Sequence, residues 1–399
     1  MINEPPVSTK WLASGALAPM EGVTDFPMRL WMSLAGRPDE LTTPFIRVTS
    51  TFDGTDHLAR SIPEIHLQKA SPYSLVPQIM LSDPEHLKAI APKLIDEFGV
   101  LEINAGCPAP KCVSKGAGSR LLVDPTEFQR FLEKITAIVP RDLTRVKMRT
   151  GFDGDEGFWT LVEIIENLSL NRLTIHGRTA KQKYSGFARW DLIHEAKRKI
   201  MVPVVGSGDI VSVDAYRQRM TRSSNVPVLI GRGALRNPWI FQEMRCGMPM
   251  TVPLRTILES MEVLFLFYNL WQGQQEVLLD CVKQGLFRSC AGIDPDRWTT
   301  IKSILVLATK GKEHPEIGER NKKRSLAKIK LLWNYLRSSL PAPFFSPKVL
   351  RSTHFNEFIS ELLSISENHG SDTFRLSHQP KYDWVYTSDK KDPRTQTQE

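Results

Sequence analysis

Short apolar runs rich in β-branched residues recur along the first part of the chain. They cover Gly15–Pro19, Phe45–Val48, Leu75–Met80, Leu101–Asn104, Arg145–Met148, Leu173–His176, Val202–Val205 and Val226–Ile230. Each has the length of a buried strand. Between them the apolar period becomes helical, as in Pro84–Phe98, Pro125–Val139 and Phe158–Leu168. In the first of these, Leu87, Ile90, Ala91 and Leu94 share one face. Ser82 and Asp83 can cap it, and Pro84 falls in the first turn. Successive runs end roughly 25 to 45 residues apart, the size of a βα unit. Eight such units predict a (β/α)8 TIM barrel in the α/β class. An open doubly wound sheet fits the count less well.

After about residue 245 the strand pattern stops, and residues 254–363 read as helices, Leu326–Leu340 among them. The expected organisation is therefore a barrel over residues 1–245, a smaller all-helical domain over 250–363, and a polar, flexible tail over 364–399. The most apolar helical stretch, Ile257–Trp271, contains Glu259 and Glu262 and is too short to cross a bilayer. The N-terminal MINEPPVSTK has no apolar core of a signal peptide. A cytoplasmic protein without a membrane partner is expected, as a monomer.

The chain has 399 residues, 41% of them apolar and 24% charged, which supports a large core and excludes a disordered polymer. Five cysteines, an odd number, with no CxxC pair, argue against a disulfide framework. Cys107 and Cys112 have no histidine close by in sequence, so no metal site is expected. The net charge of +8 is uneven: Lys302–Arg337 holds ten Lys/Arg against three Glu. Such a block suits a polyanion such as nucleic acid, although a solvated helix face would look the same.

Barrel chemistry sits at the C-terminal strand ends. There the sequence offers Pro19-Met20-Glu21, Gln78, Asn104 and Cys107, Lys147 and Arg149, His176 and Arg178, the Ser207-Gly208-Asp209 turn, and Gly231-Arg232-Gly233. One such residue alone is usually structural. Seven strand ends in phase argue for a site. The two glycine turns, the second with Arg232, suit a phosphate. Gln78 can match the edge of a flat heterocycle. Lys147 can face the negative charge of a reduced isoalloxazine ring. Together they point to FMN, while the absence of GxGxxG disfavours a Rossmann-bound dinucleotide. A lone Cys is most often a small buried residue. Beside a flavin, Cys107 becomes a candidate proton donor.

The stretches LAPMEGVTD, PQIML, NAGCPAPKCVSKGAGSRLL, VKMRTGF, HGRTAKQKYSG, GSGDI and IGRGALRNPWIF, from Leu17 to Phe241, resemble the tRNA-dihydrouridine synthases. The resemblance implies a barrel followed by a helical tRNA-binding domain. It implies that Pro19, Met20, Glu21, Gln78, Lys147, His176, Ser207, Gly208, Asp209, Gly231 and Arg232 bind FMN. NADPH or NADH would reduce the flavin, the flavin would reduce the uracil at C6, and Cys107 would protonate C5. Asn104 and Arg178 would meet the substrate. PMEG, TPFIRV and LAKIKLLWNYLR look like the branch acting on uridine 16, with Arg47, Tyr184, Lys328, Lys330 and Tyr335 on tRNA. Uridine 20 or 20a is the alternative.

Two departures from the family pattern stand out: Ser207 where Asn is usual, and Arg120 where a small residue is usual. The helical domain also runs long around Gly292–Asn321. Two rival classes remain. One is a small-molecule FMN barrel oxidoreductase like the dihydroorotate dehydrogenases, which the basic helical domain disfavours. The other is a non-catalytic tRNA binder, which Cys107, Lys147 and His176 disfavour.

Overall fold

The computed structural model describes residues 15–52, 55–67, 70–220, 225–288, 296–309 and 318–376. Most of the expected tail, and parts of the long stretch near 292–321, lie outside the described residues.

In chain order the barrel strands are β1 (Ala16–Leu17), β2 (Glu40–Thr42), β3 (Ile46–Arg47), β4 (Leu75–Val76), β5 (Gln78–Met80), β6 (Leu101–Ala105), β7 (Thr144–Arg149), β8 (Arg172–His176), β9 (Val204–Ser207) and β10 (Val228–Ile230). All pair in parallel, in the order β3-β5-β6-β7-β8-β9-β10-β1-β2-β4. β2 and β3 flank Pro44, and β4 and β5 flank Pro77. Each pair is one barrel strand, broken where proline has no N–H to give the ladder. β2 pairs with β4 and β3 with β5, so the circuit closes into the expected (β/α)8 barrel. The predicted second strand, Phe45–Val48, is only the upper half of the real one. Glu40–Thr42 forms the lower half, and its polar residues hid it.

Along β6, β7 and β8 the side chains alternate between two environments. Leu101, Ile103, Val146, Met148, Leu173 and Ile175 pack outward in the main apolar core beneath the helices. Glu102, Arg145 and Arg172 turn into the barrel, where Glu40 bonds Arg145 and Arg172 at 2.7 Å each. Burial alone would raise the Glu40 carboxyl, but Arg172 and Arg145 outweigh it and hold it below its ordinary value.

The segment predicted as one helix, Pro84–Phe98, is a 3-10 turn over Pro84–Ala89 followed by an α-helix over Ala91–Phe98. Pro92 restarts the hydrogen-bond ladder there. Leu87, Ile90, Ala91 and Leu94 are nonetheless buried, and Asp83 accepts from the Glu85 N–H.

Helices follow the barrel. The helix Leu254–Gly273 lies against the barrel helix Phe26–Ala35, where Trp31 Nε1 donates to the Ser260 carbonyl at 2.7 Å. The helix Glu319–Leu336 buries Leu326, Ile329, Leu332, Trp333 and Leu336 and ends in a 3-10 turn rather than reaching Leu340. One strand signal after residue 245 escaped notice. β11 (Thr251–Pro253) pairs antiparallel with β12 (Thr373–Arg375). Residues expected at the start of a flexible tail thus continue the helix Phe355–His369 and end in this ribbon. No helix among the described residues is long and apolar enough to cross a membrane.

One fully buried pair ties the first helix to the chain after β3. Arg29 donates from Nε and Nη2 to Glu64 at 2.7 and 2.6 Å, and from Nη1 to the Thr24 carbonyl at 2.7 Å. Tyr73 adds its hydroxyl to Glu64 at 2.7 Å. Removing one partner strands a buried charge. Glu64→Gln is expected to cost about 3–5 kcal/mol, read as a lowered urea midpoint. An unchanged midpoint would mean that the pair adds nothing to stability.

Candidate functional site

A column of polar side chains runs up the barrel axis to the rim. Glu102 has no exposed surface. Its carboxylate lies 3.6 Å from Arg172 and accepts from Gln78 Nε2 at 2.7 Å and from Thr174 Oγ1 at 3.3 Å. Gln78 Oε1 in turn accepts from Asn104 Nδ2 at 2.7 Å. Asn104 Oδ1 then accepts from the backbone N–H groups of Gly106 and Cys107 at 3.0 and 2.9 Å. This explains why β6 ends on an amide. Each member fixes which way the next one points, and the last one holds the turn that carries Cys107.

The thiol of Cys107 lines a cleft of about 300 Å³ with Pro19, Met20, Glu21, Gln78 and Asn104, across from Lys147, Arg149, Tyr184, Arg232 and Tyr335. Arg149 was noted only in passing from sequence, yet it organises this wall. It donates to the carbonyls of Gly106, Thr179 and Lys183 at 2.9, 2.8 and 2.9 Å, joining the Cys107 turn to the loop that bears Tyr184. Burial lowers it to about 10. Lys147 is also lowered, first by burial and then by Arg149, against the pull of Glu102.

A second cleft continues from the first. Ala18, Pro19, Met20, His176, the 207–210 turn, the 231–233 turn, Arg232 and Arg236 line it. A Cβ at Gly233 would sit 2.0 Å from the Ile210 carbonyl oxygen, so only glycine lets the two turns meet. Burial, followed by Arg149, Lys147, Arg178 and Arg232, pushes His176 well below its ordinary value. At neutral pH it is an uncharged imidazole. The cleft therefore offers backbone N–H groups, arginine and lysine, with the 207–209 turn beside His176. That set suits an anionic phosphate at one end and a flat ring at the other.

Several of the expected residues make contacts within the protein. Arg178 was expected to meet the substrate, but its side chain is 0% exposed and pairs with Asp209 at 2.8 Å. Asp209 is occupied as well, since it also accepts from the Ala188 N–H at 2.7 Å. Only its turn backbone remains for a ligand. The Ser207 hydroxyl donates to the Leu229 carbonyl at 2.9 Å, so it faces the barrel wall. Lys330 donates to the carbonyls of Leu350 and Ser352 at the end of a short helix. Lys328 donates to the Gly22 carbonyl at 2.7 Å and to Asp25 at 2.8 Å. Arg47, half-exposed, donates to Cys112 Sγ at 3.0 Å. Tyr184 is exposed beneath Arg232, whose Cζ lies 4.5 Å from the ring centre. Tyr335 reaches the Cys107 cleft from the helical region.

Sequence reading missed Glu102 and Arg236, and weighed Cys112 only as half of a metal pair. Glu102 and Cys112 carried a signal. Glu102 breaks an apolar strand at every-other-residue spacing, and Cys112 follows Cys107 by one helical turn plus a residue.

The family model described as dihydrouridine synthase matches residues 16–271. tRNA-dihydrouridine synthase B of Pasteurella multocida is 35% identical over 232 residues, covering 57% of this chain and 68% of that protein. The same-named protein of Pseudomonas putida is 32% identical over 264 residues, covering 63% and 77%. Among solved structures, morphinone reductase overlays on 61% of this chain and 90% of its own at a TM-score of 0.44 and 10% identity.

Gly118 tests the Cys107 turn. It has φ +62°, and a Cβ there would lie 2.7 Å from the Cys107 carbonyl oxygen. Gly118→Ala must strain the backbone and push the turn, at a cost of roughly 1–3 kcal/mol. The expected result is a lower thermal midpoint together with altered alkylation of Cys107 by iodoacetamide. Wild-type behaviour in both would show that the turn yields freely.

Proposed function

The chain belongs to the dihydrouridine synthase family, and from that premise we propose that it reduces the C5–C6 double bond of a D-loop uridine in tRNA, uridine 16 in its finest form. The reading rests above all on Cys107. Its turn is fixed from inside the barrel, and its thiol shares one cleft with Gln78, Asn104, Lys147 and Tyr335.

The residues present fit FMN. The turns at 207–210 and 231–233, with Arg232 and Arg236, supply donors for the phosphate, and Gly233 keeps the turns close. Pro19 and Met20 line the wall shared by both clefts, and Lys147 and Gln78 would hold the ring. Bound there and reduced by NADPH or NADH, FMN would supply two electrons to the uracil ring at C6.

The chain's own residues do the rest. The Cys107 S–H bond breaks, its proton goes to C5 of the uracil, and the electron pair stays on sulfur. Asn104 holds the Cys107 backbone through Oδ1, which fixes the turn that carries the thiol. The base must leave the RNA stack to enter the cleft, and Tyr184 and Tyr335 offer aromatic faces to receive it. Residues 1–245 would be the catalytic part and 250–363 the tRNA-binding part of a monomer. The exposed Arg320, Lys322, Lys323 and Arg324 on the helix Glu319–Leu336 would grip phosphate.

Cys107→Ala should retain flavin and oxidise NADPH. Its dihydrouridine formation on an unmodified transcript should fall ~10²–10⁴-fold in single turnover. A wild-type rate would assign the proton to another group, and a wild-type protein that takes up no FMN would sink the reading. Nuclease mapping of the product gives the position. Arg320→Ala combined with Arg324→Ala should weaken tRNA binding and flatten the log–log salt slope by roughly two. An unchanged slope would mean that these two arginines grip no phosphate.

A further inference from the structure

Behind Cys107 lies a second thiol that the proposed reaction does not use. Cys107 Sγ is 3.7 Å from Cys112 Sγ, and Arg47 Nη2 donates to Cys112 Sγ at 3.0 Å. Cys112 is buried, with Met80 and Ala117 packed around it and Phe45 and Ala109 at the edge. The short helix Pro110–Val113 brings it back beside Cys107. The Cys107 sulfur thus meets the Cys112 sulfur, which in turn meets the Arg47 guanidinium.

Resting on the reading of Cys107 as proton donor, we propose that Cys112 and Arg47 are positioning residues for that donor. In the resting contact Cys107 donates to Cys112. Once the Cys107 S–H turns toward a substrate carbon, that contact is free to reverse by rotation of the Cys112 thiol. Arg47 occupies a lone pair of the Cys112 sulfur, so the Cys112 proton is left to face Cys107. When Cys107 gives up its proton, the new thiolate receives a hydrogen bond from the Cys112 S–H. No electrons leave the pair, and solvent returns the proton to Cys107 afterwards.

Cys112 suits a donor that keeps its own proton. Burial, followed by the neighbouring Cys107, raises it to about 11, against the smaller pull of Arg47. A hydrogen bond to a charged acceptor in an apolar pocket is stronger than one in water. Other charged and titratable groups also face Cys107. They are Lys147 and Arg149 from β7, Arg232 and Tyr184 from the neighbouring loops, Glu21 from the first strand end, and Tyr335 from the helical region. All of them stay in place when Cys112 alone is changed, which makes its effect separable.

The test follows alkylation of Cys107 by iodoacetamide from pH 6 to 10, read by peptide mass in the full-length, flavin-loaded protein. In Cys112→Val the midpoint of the pH profile is expected to move up by about one unit, because hydrogen bonding to the charged form is lost. Cys112→Ser should bring it back toward wild type, because a hydroxyl still donates. Arg47→Met should shift it in the same direction by less. Single-turnover dihydrouridine formation should slow in the same order. A Cys112→Val profile identical to wild type would overturn the proposal, as would equal shifts in the Val and Ser variants. Should Cys112→Val lose its flavin, Arg47→Met and Cys112→Ser decide, and wild-type profile in the former overturns it. The alkylation profile needs no tRNA, so it stays readable even if the proposed reaction on tRNA is wrong.

Discussion

A carboxylate without exposed surface sits at the centre of the barrel, and the rim depends on how it is satisfied. An unpaired buried charge would cost several kcal/mol. Glu102 avoids that cost by meeting Arg172 on its lower side and Gln78 and Thr174 on its upper side. Arg172 also serves Glu40, and Glu40 serves Arg145. The lower barrel is therefore an ionic network, and Glu102 joins it to the Gln78 and Asn104 amides above. Above it, two amides pass orientation rather than charge to the Cys107 turn. A thiol placed in this way is held by strands, which is what a precise proton donor needs.

The helical region completes this site rather than merely following it. Asp25 begins the helix Phe26–Ala35 as its N-cap, and the same carboxylate takes Lys328 at 2.8 Å and the Tyr268 hydroxyl at 2.6 Å. The Lys328 pair alone is 31% exposed and worth little. Sharing Asp25 with a cap and a buried tyrosine makes the three interactions a unit. Seven residues beyond Lys328, on the same helix, Tyr335 enters the Cys107 cleft. The latch at Asp25 therefore sets how one wall of the cleft stands against the other.

Much of this was legible in the sequence because each barrel strand either repeats an apolar period or ends on a glycine turn. Pro19, Met20, Gln78, Cys107, Lys147, His176 and Arg232 all meet around two joined clefts. What the sequence hid was pairing. A lysine reads as a solvent charge whether it caps a helix, as Lys330 does, or reaches across to the barrel, as Lys328 does. Arg178 and Asp209 look like ligand groups until their mutual bond is seen. β2 was missed because its Glu40 is buried by arginines from distant strands, a partnership with no local trace. The break inside Pro84–Phe98 was written in Pro92, but the apolar face continued across it and masked the restart.

The cations of the cleft belong together energetically. Burial lowers both Lys147 and Arg149, so the fold holds their charges against a desolvation penalty. Burial first, and then the field of these cations with Arg178 and Arg232, keeps His176 uncharged. A bound anion offsets that penalty, which is why a phosphate-bearing ligand and a polyanionic substrate suit this cleft better than a neutral molecule. The attraction also extends to the thiol. Negative charge on Cys107 pulls Lys147 and Arg149 back toward the protonated state. One cluster of cations can thus hold an anion at one end of the cleft and stand beside the thiol at the other.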